Sequence, residues 1–454
     1  MDNRLITLID NEIESCTTRL AADTVRLVNI KSVQDEAMPG APFGEGAKRV
    51  LDTFVEMAGA DGFYTTDYGV GVVSAAMKEG ECDLGIWLHG DVVPEGDGWS
   101  FPPYDATEYK GCIIGRGATD NKGQMSAVLN LFRIFKKLDI KLNYNPAIYI
   151  GSNEETGMED MIGHEGNPDA RGFMNVCKPP RLSLVPDGSF PVGYGGKGGM
   201  NITLRSKTPL HGVTLTAGQK ESPGLARATF ENADIPEMTA FTPPRHGSSP
   251  DPDGNMITRI SEALLESDYV SDEDKYIFEF FRTVSLDVQG KMLGIATECE
   301  NMKPLTVFSK AIDDVDGHPE ITLNIRYPIG ITFDEIVERV SAYAESVGFT
   351  VSKKKCGVLP YMLDPTSEIV TKLAEIANGV TGSDKKPYTL SGGTYAHRLP
   401  NAYVFGTDGN LPPDDFEKGR GGAHGIDEAV SLDRLKRAMK IYARALLSLN
   451  DIRW

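Results

Sequence analysis

LGIWLHG (84–90), KGQMSAVLNLFRIFKKL (122–138) and NPAIYIGSNEETG (145–157) follow one another along the chain, and their succession decides the fold. The first is a short apolar run that stops at His89. The second places Met125, Val128, Leu129, Phe132 and Phe135 on one face of a helix, because residues three and four apart share a side. The third is an apolar run that passes into polar residues, and LSLVPDGS (182–189) repeats that pattern. Strand, helix, strand, strand with polar residues at the strand ends predicts an α/β sheet. The site is then expected at the carboxyl ends of its strands.

Working outward, AKRVLDTFVEMAGA (47–60) carries apolar residues at helical spacing. The middle of the chain differs. GGMNITLRSK (198–207) reads as a strand of an antiparallel sheet, followed by a stretch with Pro and Gly spread over 209–254. NMITRISEALLES (255–267) predicts a helix, and EITLNIRYPIG (320–330) alternates Ile321, Leu323 and Ile325 as a half-buried strand does. TFDEIVERVSAYAESVGF (332–349) opens with a capping box, Thr332 and Glu335, and continues with Ile336, Val337, Val340 and Tyr343 as a helical stripe. This α+β pattern marks residues 194–360 as an inserted second domain. SEIVTKLAEIANGVTG (367–382), NAYVFG (401–406) and SLDRLKRAMKIYARALLSL (431–449) then return to helix, strand and helix. The expected organisation is one α/β domain built from 1–193 and 361–454, interrupted by 194–360.

The chain has 454 residues, with 65 Asp+Glu against 46 Lys+Arg and a formal net charge of −19. That excess repels phosphate, so neither nucleic acid nor an anionic lipid surface is an expected partner. No apolar run approaches the roughly 20 residues that span a bilayer. The N-terminal MDNRLITLIDNEIESC has no apolar signal region, and Cys16, Cys82, Cys112, Cys177, Cys299 and Cys356 form no CxxC pair. Reduced thiols in the cytoplasm are the expectation. GYGGKG (193–198) fits a G-x-G-x-x-G pattern but opens no helix, which argues against a phosphate cradle.

Chemistry gathers at the predicted strand ends. His89 and Asp91 are i and i+2 on a strand, so imidazole and carboxylate share a face, and a carboxylate on one ring nitrogen makes the other a better metal donor. Asp120 lies between glycines and a helix start in GRGATDNKG (115–123). Glu154 and Glu155 are adjacent in SNEETG (152–157); on extended backbone their side chains diverge. VPDGS (185–189) supplies Asp187, and GGAHGIDE (421–428) supplies His424. Taken singly, each has a plain structural reading: a strand-end histidine, an N-cap aspartate, a solvated acidic loop. Together His89, Asp120, Glu155, Asp187 and His424 are two imidazoles and three carboxylates, a thiolate-free donor set that suits zinc, cobalt or manganese.

The string HGDVVPEGDGWSFPPYDATEYKGCIIGRGATDNKG (89–123), followed by SNEETG, PDGSFPV and AHGIDE, resembles the co-catalytic zinc metallopeptidases. This family includes aminoacylases, carboxypeptidase G, ArgE/DapE deacylases, carnosinases and PepV-type dipeptidases, and the likeness is strongest to the last. The resemblance implies a zinc-peptidase catalytic domain, with a mixed sheet flanked by helices, and a lid formed by the insert. It implies two divalent ions, zinc first and cobalt or manganese next. His89 and Asp187 would hold one, Glu155 and His424 the other, and Asp120 would bridge them across a cis Asp120–Asn121 peptide. Asp91 would orient His89, and Glu154 would be the general base and then the acid. RHGSSPDPDGN (245–255) resembles the lid motif that places a histidine, here His246, on the scissile carbonyl; His211 in PLHGVT is its rival. Arg326 and the loop Ser391, Gly392, Gly393, Thr394 match positions that hold the substrate carboxylate. The lid's usual Asn-Met-Val-Pro-like segment has no counterpart in AGQKESPGLARATF (217–230). His397 is a further pocket candidate, and His164 and His318 read as surface residues.

The implied reaction is hydrolysis of the amide bond of dipeptides or similar short substrates with a free C-terminal carboxylate, through a metal-bridging hydroxide activated by Glu154. The alternatives are an N-acyl-amino-acid deacylase, a carboxypeptidase or a β-alanyl dipeptidase, and, more remotely, an inactive binding protein. A dipeptidase needs an anion for the free α-amino group, which Asp91 or a nearby carboxylate would supply. Peptide or acyl-amino-acid substrates are the expected partners, with the chain a monomer or homodimer.

Overall fold

The structure is a computed structural model that describes residues 2–164, 170–218, 224–230, 237–242, 250–251, 255–407 and 412–451. It divides into two compact units. One comprises Met1–Tyr194, Leu363–Tyr388 and Thr394–Trp454; the other comprises Gly195–Met362 and Thr389–Gly393.

The first unit is α/β. Its central strands, Leu84–His89, Pro146–Gly151, Leu182–Val185 and Ala402–Val404, run parallel, while Val72–Ala76 adds on antiparallel. Within this unit the sheet order is Tyr64–Asp67, Val72–Ala76, Pro146–Gly151, Leu84–His89, Leu182–Val185 and Ala402–Val404. Every residue of Leu84–His89 and of Pro146–Gly151 is buried. A strand covered on both faces carries a continuous apolar run rather than an alternating one, which is how LGIWLHG reads. Ile86 pairs with Ile148 and Leu88 with Ile150 on one face. On the other, Trp87 stacks on its register partner Tyr149 at 4.3 Å, and Phe173 meets Trp87 edge-on at 4.9 Å.

The helices follow their stripes. Gly123–Lys137 and Leu432–Leu449 bury the residues the periodicity selects, among them Met125, Phe132 and Phe135 in one and Leu435, Met439 and Tyr442 in the other. Glu45–Ala60 buries Val50 and Phe54, and a Cβ on Gly90 would come within 2.7 Å of Val50, so the chain after His89 has no room for a larger residue. The helices Asn3–Ser15 and Thr17–Val28 carry no motif, but their buried Ile13, Leu20 and Leu27 complete the layer.

The second unit is a seven-stranded antiparallel sheet with helices. Its order is Glu237–Thr242, Gly224–Phe230, Val213–Gly218, Thr306–Val315, His318–Tyr327, Gly198–Ser206 and Phe349–Val358. Ile321, Leu323 and Ile325 point into its core, as their alternation requires. The capping box forms: Glu335 N donates to Thr332 Oγ1 at 3.2 Å and Thr332 N to Glu335 Oε2 at 2.8 Å. A helix that sequence reading passed over, Lys275–Leu286, supplies Phe278, Phe280 and Phe281 to the same core. Among the described residues no helix is long and apolar enough to cross a membrane.

Among the described residues Trp87 is the largest fully buried side chain. Trp87→Ala is expected to cost about 3–5 kcal/mol, read as a lowered urea midpoint of the metal-free protein. Trp87→Phe should cost clearly less, since the buried indole N–H has no partner among the described residues.

Candidate metal and active site

Parallel strands bring their carboxyl ends to one edge of the sheet, so residues distant in sequence meet there. His89 is the last residue of its strand and pairs in register with Gly151, the last of the next. Three and four residues beyond Gly151 come Glu154 and Glu155; two beyond the end of Leu182–Val185 comes Asp187. Asp120 has extended, non-helical backbone (φ −137°, ψ 86°) at a kink in the segment Ala118–Lys122 that precedes the helix Gly123–Lys137, and the Asp120–Asn121 peptide is cis. His424 comes from the loop before the strand Ala429–Ser431.

These residues form two donor groups with one shared member: His89, Asp120 and Asp187, and Asp120, Glu155 and His424. In each, the ligand atoms lie within 4.8 Å of one another. Asp120 Oδ1 is 3.0 Å from His89 Nε2, and its Oδ2 is 3.1 Å from His424 Nε2. His424 Nε2 is also 3.0 Å from Glu155 Oε1. Donors bonded to one tetrahedral zinc ion at about 2.0–2.1 Å stand about 3.3 Å apart, so this set is close to ligand spacing.

Proton accounting points the same way. A neutral imidazole has one N–H. At His89 it is spent on the Asp91 carbonyl, 3.0 Å from Nδ1, so Nε2 turns a lone pair toward a carboxylate. Two acceptors at that distance repel unless a second proton or a cation lies between them. In the ion-free site burial opposes a charged His89, yet Asp120 and Asp91 raise its pKa well above the ordinary imidazole range. For His424 burial again opposes, and Asp120 and Glu155 carry the pKa up to about 11. The carboxylates are crowded in turn. Burial and the charge of Asp120 push Asp187 up to about 7, and burial and Asp187 push Glu154 well above its usual range. Glu154 Oε1 is buried without a hydrogen-bond partner among the described residues. Cations between these donors remove each conflict, so the residues present fit two divalent ions.

Residues 86–448 match the signature of Peptidase family M20/M25/M40. The chain belongs to this family. It is a hydrolase, and its α/β architecture is that of the family. It is 27% identical over 471 residues to the provisionally named dipeptidase YtjP of Bacillus subtilis, covering 95% of this chain and 97% of that protein. Among solved structures it resembles the dipeptidase Dug1p of Saccharomyces cerevisiae, with TM-score 0.63, 14% identity and 99% of each chain covered. It also resembles human carnosine dipeptidase 1, with TM-score 0.64, 15% identity and the same coverage.

Two details of this M20-family site differ from the sequence reading. Glu154 and Glu155 lie in a turn, not on extended backbone, so the turn sets their divergence. Glu155 faces His424, whereas Asp187 is the charge that acts most on Glu154. The Asp91 carboxylate accepts from Glu154 N at 3.2 Å and Glu155 N at 3.0 Å, and only its Oδ1 comes near the His89 ring, at 3.5 Å. Asp91 is buried, and both its oxygens accept from the amides of this turn.

Two residues that sequence reading missed support the site. Glu428, the last residue of the AHGIDE string, is fully buried and paired with Arg116 of GRGATDNKG at 2.7 Å. The second unit holds Arg326, at the end of the strand His318–Tyr327 and bonded through Nε to Asn324 Oδ1 at 3.2 Å, together with Ser391, Gly392 and Gly393. Thr394 belongs to the first unit and caps the turn at Ala396. His211 in the second unit is engaged with Asp274 at 3.2 Å, and His397 with Thr394. His318 is half-buried on the Ser206 carbonyl rather than a free surface residue, while His164 is exposed beside Glu159. His246 lies outside the described residues.

Because Asp120 serves both groups and His424 only one, Asp120→Ala should lose both ions and His424→Ala one. Metal content per chain after dialysis against a limiting chelator checks this.

Proposed function

We propose that this peptidase is a metal-dependent dipeptidase that hydrolyses short substrates with a free C-terminal carboxylate. The observation that carries the reading is the pair of donor groups sharing Asp120, with Glu154 beside them presenting a buried Oε1 that has no partner among the described residues. The dipeptidase names of its relatives support the choice of substrate.

His89, Asp120 and Asp187 would hold one ion and Asp120, Glu155 and His424 the other, with zinc the preferred metal for this N/O set. Two such ions supply Lewis acidity for the scissile carbonyl and acidify water near neutral pH. The chain's own residues do the rest. Glu154 takes a proton from the attacking water and returns it to the leaving nitrogen. Asp91, gripping the amides of Glu154 and Glu155, keeps the base from swinging away. Arg326 offers a planar fork to the substrate carboxylate, assisted by Ser391, Gly392, Gly393 and Thr394. His246 donates to the oxygen where negative charge develops. In this reading the inserted segment 194–360 acts as the lid, and the enzyme works in the cytoplasm as a monomer or homodimer.

A panel of dipeptides, N-acyl amino acids and longer peptides tests the proposal: fastest turnover on dipeptides is expected, and preference for acyl amino acids would replace it with a deacylase. Glu154→Gln should keep both metals while kcat falls about 10²–10⁴-fold. Arg326→Ala should lower kcat/KM by about 10–100-fold for a free carboxylate and far less for the corresponding C-terminal amide.

A further inference from the structure

We propose that Glu428 and Arg116 are positioning residues for the second donor group, Asp120, Glu155 and His424, and that the ion held there is the one lost when the pair is broken. This rests on the two-metal reading above and adds to it what sets the spacing of the donors.

The Glu428 carboxylate is enclosed by donors. Its Oε2 accepts from Arg116 Nη1 at 2.7 Å and from Gly117 N at 3.0 Å. Its Oε1 accepts from Thr119 N and from Asp120 N, each at 3.0 Å. The backbone amide of the shared ligand Asp120 is thus bonded directly to Glu428. The other arm of Arg116 reaches back to the loop that carries His424: Nη2 lies 3.5 Å from the His424 carbonyl, and 3.3 and 3.2 Å from those of Pro94 and Glu95. The Trp99 ring covers the guanidinium at 5.2 Å. A backbone bond from Gly115 N to Glu428 O at 2.8 Å joins the same two segments.

Two of the three residues of the second group are therefore tied to one buried ion pair. In the first group only the shared Asp120 is. His89 is held by its strand, and Asp187 stands two residues beyond the end of another. The loop needs this anchor. His424 and Asp427 adopt positive φ, 61° and 54°, a conformation unfavourable for residues with a Cβ. The anchor must also be acceptor-only. Four N–H groups converge on two oxygens, so a carboxamide would set its NH2 against two of them. It must be paired as well, because an unpaired buried carboxylate beside Asp120 would repel it.

The test is titration of the metal-free protein with zinc under chelator competition, and with cobalt(II) followed by its visible spectrum. Wild type should bind two ions; fewer would overturn the two-metal reading itself. Glu428→Gln should weaken the second ion about 10–100-fold and the first clearly less, since the first group feels the change only through the shared Asp120. The cobalt spectrum should then change chiefly over the second equivalent. Equal weakening of both ions, the signature of a general structural role, overturns the inference, as does no weakening. If Glu428→Gln does not fold, Arg116→Lys keeps a charge opposite Glu428 but removes the arm to His424. The same selective loss is expected, and an unchanged second affinity overturns the proposal.

Discussion

The two oxygens of Asp120 face two different imidazoles, and the rest of the first unit is arranged to hold that geometry. A carboxylate between His89 and His424, with Glu155 and Asp187 close by, concentrates charge in a buried place at the ends of the sheet. Such a cluster is unfavourable alone and favourable around cations. The fold meets the demand with rigid supports: fully buried parallel strands, a Trp87–Tyr149–Phe173 cluster beneath them, and glycines where nothing larger fits. At Gly151 a Cβ would stand 1.9 Å from the Tyr395 hydroxyl and 2.4 Å from Asp160 Oδ2.

One device recurs around the cluster. A buried carboxylate outside the two donor groups grips the backbone amides of the turn that carries their members. Asp91 takes the amides of Glu154 and Glu155, Asp160 takes that of Ser152 at 2.9 Å, and Glu428 takes those of Gly117, Thr119 and Asp120. Backbone amides are donors without side-chain freedom, so bonding them places a turn more firmly than side-chain contacts would. Each such carboxylate also reduces the number of unsatisfied groups at a strand or helix end.

Much of this was legible in the chain. The capping box at Thr332, the alternation of Ile321, Leu323 and Ile325, and the stripe Met125–Phe135 depend only on neighbours within a few residues, and local periodicity reports them faithfully. The ligand-bearing strings were legible for another reason: acids, histidines and glycines crowd at the ends of apolar runs. Glu428 and Arg116 were in plain view within two of those strings, but their bond joins residues 312 apart in sequence, and no local pattern encodes it. The helix Lys275–Leu286 carries Ile277, Phe280, Phe281 and Val284 at helical spacing, so it was equally legible in the chain although sequence reading passed over it.

The sequence by itself determined which residue types stand at the strand ends, that they form a thiolate-free donor set, and that an α+β segment interrupts an α/β one. These follow from side-chain chemistry and short-range periodicity. Only the tertiary structure decided that Glu154 and Glu155 diverge through a turn held by Asp91, and that Glu428 and Arg116 brace the turn that carries Asp120. The physical reason is that proton ownership, crowding of like charges and burial depend on distances of a few ångströms between segments, and only packing sets those.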